Sequence, residues 1–581
     1  MKASRKYSNF VLILCLFIAQ WHLLSVRTEC DNWKKVIESD VYGYYGYLPA
    51  LFIHRSFDYS IYQNVESKTP VLKGETEDPI KYYIGEAILL LPFFTVADLI
   101  TQTFDFEARN GFTFYYQLSI AIASIFYLLL GLFALRNLLQ RLGFEDVVSA
   151  LVLFLLFAGT QLYHYALHEP GMSHVYSFSI ISIVLNVIHL QSIQPNRTRW
   201  FILAFLAALV VFIRPINVLF LGSFIYLVKS REAAKQFVFM FLKAGFTTIA
   251  GCILIIACFF LLQSLAYYYQ SGNWWVYSYG EEGFNWTNPQ ISNVLFSYRK
   301  GLFVYTPMLL VAFLGLWFMK KKFGGFSTTA WLSLMIIYLY ITASWWYWAY
   351  GGSFGMRPFI DTYALWAIPL ASIVQVLLNT RWWKFLFISI CGFLTYLNLL
   401  QTYQYIHNIL PYEHMNKERY WHIFLKTNHK YRYGIPAEPE DEIVPNSTLL
   451  IKDTVFSSDK PFIVNESENK LEFIGMPLKN LSPDYASITR LVVDVELNLE
   501  TLKTNSSFVT ALQENFDQPA LFFQTKYLVT LVNEPQTWIK TRFKINFPPN
   551  YNPETHFTFY LYNKEPELIQ ARNLRIRFFR S

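Results

Sequence analysis

The sequence predicts a polytopic α-helical membrane protein carrying a C-terminal all-β domain. Three observations carry that expectation. Apolar windows of roughly 20 residues, long enough to cross a bilayer as helix, recur through residues 1–405. Of the whole chain, 54% is hydrophobic and only 15% charged, where soluble domains carry roughly 25% charged residues. From about residue 430 the long apolar runs stop and short β-rich stretches begin.

The first window, 8–26, follows Lys2, Arg5 and Lys6. A signal peptide would begin the same way. Here Trp21, His22 and Arg27 occupy the place of a small-residue cleavage site, so the window reads as a retained span with a cytoplasmic N-terminus. Further windows fall at about 112–135, 147–166, 174–192, 200–228, 237–267, 302–319, 328–348, 359–378 and 384–404. Basic residues mark the cytoplasmic side: Arg136 with Arg141, Arg197 with Arg199, Lys229 with Arg231 and Lys235, Lys320 to Lys322, and Arg381 with Lys384. Window 200–228 is basic at both ends and holds Arg214-Pro215 at its middle. Proline interrupts a helix, so the segment reads as a hairpin of two short spans with Arg214 at its tip. The total is about 11 transmembrane helices, an odd number, which puts the C-terminus outside.

The outer parts are then residues 28–111, the turn at 164–173, the Arg214 tip, 268–300, 349–358 and everything beyond about 405. Within 28–111, Tyr42–His54 and Gly85–Leu99 are apolar but short, and suit helices lying along the interface. Residues 406–429 form a connector. Residues 430–581 contain runs such as Leu491-Val492-Val493-Asp494-Val495 and Phe557-Thr558-Phe559-Tyr560-Leu561, separated by turns such as Pro548-Pro549-Asn550. That pattern predicts an extracytoplasmic β-sandwich.

The net charge of +7 belongs to loops between spans and forms no basic groove, which excludes nucleic acid as a partner. Of the five cysteines, Cys15, Cys252, Cys258 and Cys391 lie in apolar windows and Cys30 just beyond the first. They form neither a disulfide framework nor a metal-type spacing. Asn-x-Ser/Thr triplets at Asn285, Asn446, Asn465, Asn480 and Asn505 are expected by chance in so Asn-rich a chain.

The unusual polar residues collect on one side. Asp40, Glu86, His168, Glu169, His174, Arg214, Glu281, Glu282, Arg299, Lys300, Arg357 and Asp361 all lie in or beside outer loops. Ionisable groups at a membrane boundary are costly and are usually kept for function. Glu38-Ser39-Asp40 opens an aromatic run, Val41 to Pro49, just past the first span. Asp40 is the candidate general base, set against the ordinary role of an aspartate at a helix N-cap. Glu169 is a candidate second acid, in substrate binding or on a divalent cation. Glu86 and His174 are candidate substrate-binding residues. Arg357, in the glycine-rich Tyr350–Pro358 segment, is the candidate phosphate ligand, with Arg214, Arg299 and Lys300 in support. Asp361, a further candidate for substrate binding, follows Arg357 by four residues, the spacing of an ion pair on one helix face. The run Trp345-Trp346-Tyr347-Trp348 reads as an interfacial aromatic belt.

The segments Asp40 to Pro49, Lys81 to Glu86, Met172-Ser173-His174, Ser297 to Pro307 and Tyr350 to Asp361 resemble bacterial members of the GT-C glycosyltransferase superfamily. The nearest kind is similar to the dolichyl-phosphate-mannose–protein mannosyltransferases of family 39. The resemblance covers residues 1 to about 405. It implies a polytopic fold, an acidic residue of the first outer loop as base, a polyprenyl-phosphate sugar donor and inversion at the anomeric carbon. Asp40 is the position that matches the acidic motif. The mannosyltransferases carry adjacent Asp-Glu there, so Glu38 is not carried over.

The expected function is transfer of a sugar from a polyprenyl phosphate to a glycan, lipid or protein acceptor on the outer face. The expected location is a bacterial inner membrane with the C-terminal domain in the periplasm. The alternative is a transporter or flippase for a lipid-linked glycan. It fits less well, because transporters place charge near the midplane within repeated halves.

Overall fold

The computed structural model describes residues 5–28, 32–57, 80–104, 107–280, 282–412, 415–428, 431, 449–456, 461–464, 469–482, 488–501, 506–514, 520–532, 535–546, 552–563 and 568–580. Cys30, Glu281, Asn446, Asn465 and Asn505 lie outside the described residues. The chain divides into two compact units, Met1–Thr402 and Tyr403–Ser581.

Eight described helices are long and apolar enough to cross a membrane: Lys6–Arg27, Gly85–Phe104, Phe114–Arg141, Ser173–Ile193, Phe246–Ser271, Gly325–Ser344, Arg357–Leu378 and Trp383–Ile406. Asp146–Ala158 and Pro215–Leu227 are apolar but shorter. Arg197–Ile213 has 17 residues and Met308–Phe323 has 16. The shortening has local causes. Window 147–166 breaks at Gly159 and resumes as Leu162–Leu167. Window 302–319 breaks before Met308, which follows Pro307. Window 237–267 breaks at Gly245, whose φ of +88° suits glycine. Window 200–228 breaks where expected: Arg214 is extended, with φ −151° and ψ 119°, because the residue before a proline is pushed out of the helical region.

Two segments within 28–111 differ from expectation. Gly85–Leu99 seemed too short to span, yet the helix runs 20 residues to Phe104. Thr101 and Thr103 bond back to the carbonyls of Ala97 and Leu99, and Gln102 bonds Asp98. Their polar groups are thus satisfied within the helix, so these residues continue it without leaving unpaired side-chain groups. Tyr42–His54 forms short turns whose first half is buried rather than laid along an interface; Tyr45 and Tyr47 are 0% exposed. Their hydroxyls donate to the carbonyls of Gly111 and Tyr82, each at 2.6 Å.

Within the first unit, Ser173–Ile193 and Arg357–Leu378 are the most enclosed long helices, while Lys6–Arg27 and Phe246–Ser271 sit outside them. Phe114–Arg141 packs on Ser173–Ile193, and Met308–Phe323 packs on Tyr363–Leu378. At the second contact a Cβ on Gly315 would collide with the Pro369 carbonyl oxygen. Small residues at such crossings let membrane helices approach closely. The outer helices leave Phe10, Leu254 and Leu314 uncovered, each 64% exposed. Apolar surface of this extent marks contact with lipid.

Among its described residues the second unit has nine strands: β1 Leu449–Phe456, β2 Phe462–Val464, β3 Lys470–Pro477, β4 Arg490–Leu499, β5 Ser507–Gln513, β6 Phe522–Tyr527, β7 Ile539–Asn546, β8 His556–Tyr562 and β9 Ile569–Arg580. One antiparallel sheet runs β1-β9-β4-β7, with β2 also on β9; the other runs β3-β8-β5-β6. Strand alternation turns Leu491, Val493, Val495 and Leu497 of β4 into a core shared with Phe508, Phe543, Phe559 and Ile576. The intervening Asp494 and Glu496 pair with Arg577 at 2.6 Å and Arg572 at 2.8 Å. The unit is the all-β domain that its sequence predicts.

Candidate active site

Asp40 is placed by its backbone before its side chain does anything. Ser39 adopts φ +51°, which turns the chain into the short helix Val41–Tyr45. The Asp40 carbonyl accepts the amides of Gly43 and Tyr44, but its side chain makes no capping bond. The carboxylate instead meets Arg357 at 2.7 Å and accepts a hydrogen bond from Tyr82. Both ion partners are largely buried, at 16% and 15% exposure. Burial alone would push the carboxyl up. Arg357, the Tyr82 hydrogen bond and Lys81 together outweigh it and hold Asp40 below its ordinary value.

A second charged group stands beside the first. Asp361 is fully buried and contacts His174 Nδ1 at 2.9 Å and Arg214 Nη1 at 3.4 Å. Arg214 Nη1 also lies 2.8 Å from His174 Nδ1. That nitrogen has one hydrogen or one lone pair, so it can donate to Asp361 or accept from Arg214, not both. The expected Arg357–Asp361 pair is therefore corrected: Arg357 holds Asp40, and Asp361 holds His174 and Arg214. The physical reason is the helix type. Arg357–Thr362 is a 3-10 helix with three residues per turn, so the fourth residue does not return to the same face.

These groups line a cavity of about 430 Å³. Asp40, Arg357, His174 and Arg214 contribute charge and hydrogen-bonding capacity; Tyr44, Tyr82, Tyr279, Trp345 and Tyr350 contribute aromatic wall. Lys81 and Glu282 pair at 2.6 Å on its rim. Close approach at one point assembles it: a Cβ on Gly85 would strike the backbone of Phe212 and Ile213, so only glycine lets that helix start against the end of Arg197–Ile213, next to Arg214.

Four of the nine expected site residues thus share one cavity, and Asp361 backs it. Glu86 is fully buried with no hydrogen bond on either oxygen, and Arg214 is the cation acting on it. Glu169 does not line the cavity; it pairs with His164 at 3.0 Å. Arg299 and Lys300 do not line it either. Arg299 bonds the Tyr347 hydroxyl at 2.6 Å and Lys300 bonds the Ser353 carbonyl, so they fasten the loop that leads to Arg357. Among the described residues no three His, Cys, Asp or Glu side chains gather to hold a metal ion. Sequence reasoning gave no role to Tyr82, Tyr279 or Tyr350 and sent Trp345 and Trp346 to an aromatic belt, whereas all five line the cavity. The signal for Tyr82 was its place in the Lys81-to-Glu86 segment.

Asp361→Asn should lower stability by about 3–5 kcal/mol, because it strips a buried ion group of its only carboxylate and leaves Arg214 uncompensated. Thermal unfolding of the purified protein in detergent checks this. An unchanged midpoint would mean that Arg214 finds another anion, with Glu86 the nearest candidate.

No protein-family model matches the sequence, and a search of curated proteins found no match. Among solved structures, the chain is similar to the arabinosyltransferase EmbB from Mycobacterium smegmatis, with a TM-score of 0.41 and 8% identity, over 100% of this chain and 64% of that one. The chain thus spans less than two thirds of that neighbour's length. A likeness so distant assigns no function.

Proposed function

We propose that this integral membrane protein is a glycosyltransferase of the GT-C kind, taking a sugar from a polyprenyl phosphate and passing it to an acceptor hydroxyl outside the cytoplasm. One observation carries the reading. A carboxylate and a guanidinium from opposite ends of the membrane unit's sequence, Asp40 and Arg357, meet in an aromatic-walled cavity. Asp40 takes the acceptor's proton. The acceptor oxygen then bonds to the anomeric carbon as the bond from that carbon to the phosphate oxygen breaks. Its electron pair leaves with the polyprenyl phosphate, which Arg357 and Arg214 hold. The family resemblance supports inversion in this single displacement.

The resting ion pair gives the sequence of events a physical order. While Arg357 holds Asp40, the carboxylate is a weak base. A donor phosphate competes for the guanidinium, and as it takes Arg357 the carboxyl rises toward a useful range. The donor thereby switches on its own base. In this reading the N-terminus is cytoplasmic and the β-domain periplasmic, in a bacterial inner membrane.

Purified protein in proteoliposomes should transfer radiolabel from a polyprenyl-phosphate sugar to an acceptor glycan or lipid. Movement of the lipid-linked glycan across the bilayer without transfer would instead establish the transporter.

A further inference from the structure

A second, larger cavity lies at the other ends of the helices that build the first. Ser173–Ile193 brings His174 to the Asp40 cavity and His189 to this one. Their separation of 15 positions spans roughly 22 Å of helix. Arg197–Ile213 likewise starts at the second cavity and ends at the first. The second cavity measures about 890 Å³.

Its lining combines two chemistries. Arg141, Arg197, Lys229 and Lys243 supply four positive charges, and no Asp or Glu lines it among the described residues. Among the described residues none of the four is paired with a carboxylate. Arg141 bonds the Asn186 amide oxygen, and Arg197 bonds the hydroxyls of Thr247 and Thr248. Lys229 and Lys243 lie over the rings of Phe323 and Phe239. Trp200, Leu227, Phe239 and Met240 add apolar lining. His189 is 6% exposed, and among the described residues neither ring nitrogen meets full hydrogen-bond geometry, the Arg141 backbone being the group that acts on the ring. A buried imidazole left in that state costs stability, unless a ligand completes it.

One wall is the helix Arg231–Leu242, which carries Phe239 and Met240 and is started by Ser230, whose hydroxyl accepts the Ala233 amide at 3.1 Å. It exposes Val238, Phe239 and Leu242 on one side and carries Arg231 and Lys235 as well. A helix of this pattern lies in a membrane interface. The cavity therefore joins cations and apolar lining beside a helix of interfacial pattern.

We propose that this cavity is a binding site for an anionic phospholipid, its phosphate among Arg141, Arg197, Lys229 and Lys243 and the start of one acyl chain on Trp200 and Met240. The positive-inside pattern accounts for basic residues in these loops. It does not account for a cavity that gathers four of them with apolar lining around a buried histidine. The proposal is independent of glycosyl transfer at Asp40.

The test uses the full chain in detergent, titrated with phosphatidylglycerol or phosphatidylcholine of the same acyl chains and read by native mass spectrometry. Wild type should retain one phosphatidylglycerol at least about tenfold more tightly than phosphatidylcholine. The double variant Lys229→Gln/Lys243→Gln should lose that preference. Lys320→Gln/Lys321→Gln, two lysines on the same flank but outside the cavity, should keep it. Equal retention of the two lipids overturns the site. Equal loss in both double variants reduces it to general attraction of anionic lipid. Displacement of the lipid by millimolar inorganic phosphate would make it a site for free phosphate instead.

Discussion

Asp40→Asn is expected to lower sugar transfer by about 10²–10⁴-fold, the range for loss of a general base. Asparagine has nearly the same shape and still accepts the Tyr82 hydrogen bond, but it takes no proton at neutral pH. The carboxylate's other partner, Arg357, then sits 15% exposed without its anion. Some loss of stability is therefore expected, and the variant must be shown to be monodisperse with a measurable unfolding transition. Asp40→Glu separates the two effects. It restores the charge for Arg357 while moving the oxygens by one methylene, so stability should return while transfer stays well below wild type. Glu169→Gln is the internal control. Its carboxylate is engaged by His164 away from the cavity, and transfer should fall less than about threefold. Full transfer in Asp40→Asn, or a larger loss in Glu169→Gln, would move the base to the other acid.

The sequence showed these residues one at a time but not who holds whom. Polytopic helices were legible because their signal is a run of about 20 apolar residues, and the break at Arg214-Pro215 because proline acts on the residue before it. The alternation of β4 was legible for the same kind of reason: each signal is local. The Asp40–Arg357 pair joins positions more than 300 residues apart, and nothing in either neighbourhood encodes the partner. Where a pairing was read locally, between Arg357 and Asp361, the reading assumed an α-helix, and a short 3-10 helix sent Asp361 to His174 and Arg214. Tyr82, Tyr279 and Tyr350 went unread because tyrosine is common throughout this chain, with 40 copies. Only the fold separates those that line a cavity from those that face lipid. Gly85–Phe104 was cut short for a related reason: threonine and glutamine looked like an end to the apolar run, while in the structure they bond back along the helix.

Arg357→Gln should separate the two tasks assigned to the guanidinium. Loss of a charged hydrogen bond to the donor phosphate, about 1.5–3 kcal/mol, corresponds to roughly ten- to a hundredfold in transfer efficiency, read mainly as a raised KM for the donor. The pH profile carries the second task, and its sign follows from the causes acting on Asp40. In wild type the carboxyl is held below its ordinary value because Arg357, Tyr82 and Lys81 outweigh burial. Removing Arg357 takes away the foremost of those opposing influences and leaves burial less opposed, so the carboxyl rises. At any acidic pH a smaller fraction of Asp40 is then ionised, and the acidic limb of kcat/KM moves to higher pH. Arg357→Lys should behave differently. It keeps the positive charge that holds Asp40 down, so the acidic limb should stay near its wild-type position. It lacks the planar fork that grips two phosphate oxygens, so the donor KM should still rise. A KM that rises in both variants with a pH limb that moves only in Arg357→Gln is the signature of one arginine serving both the donor and the base. A limb that stays fixed in Arg357→Gln would mean that the proton acceptor is a group Arg357 does not touch, and Asp40 would lose its assigned role along with it.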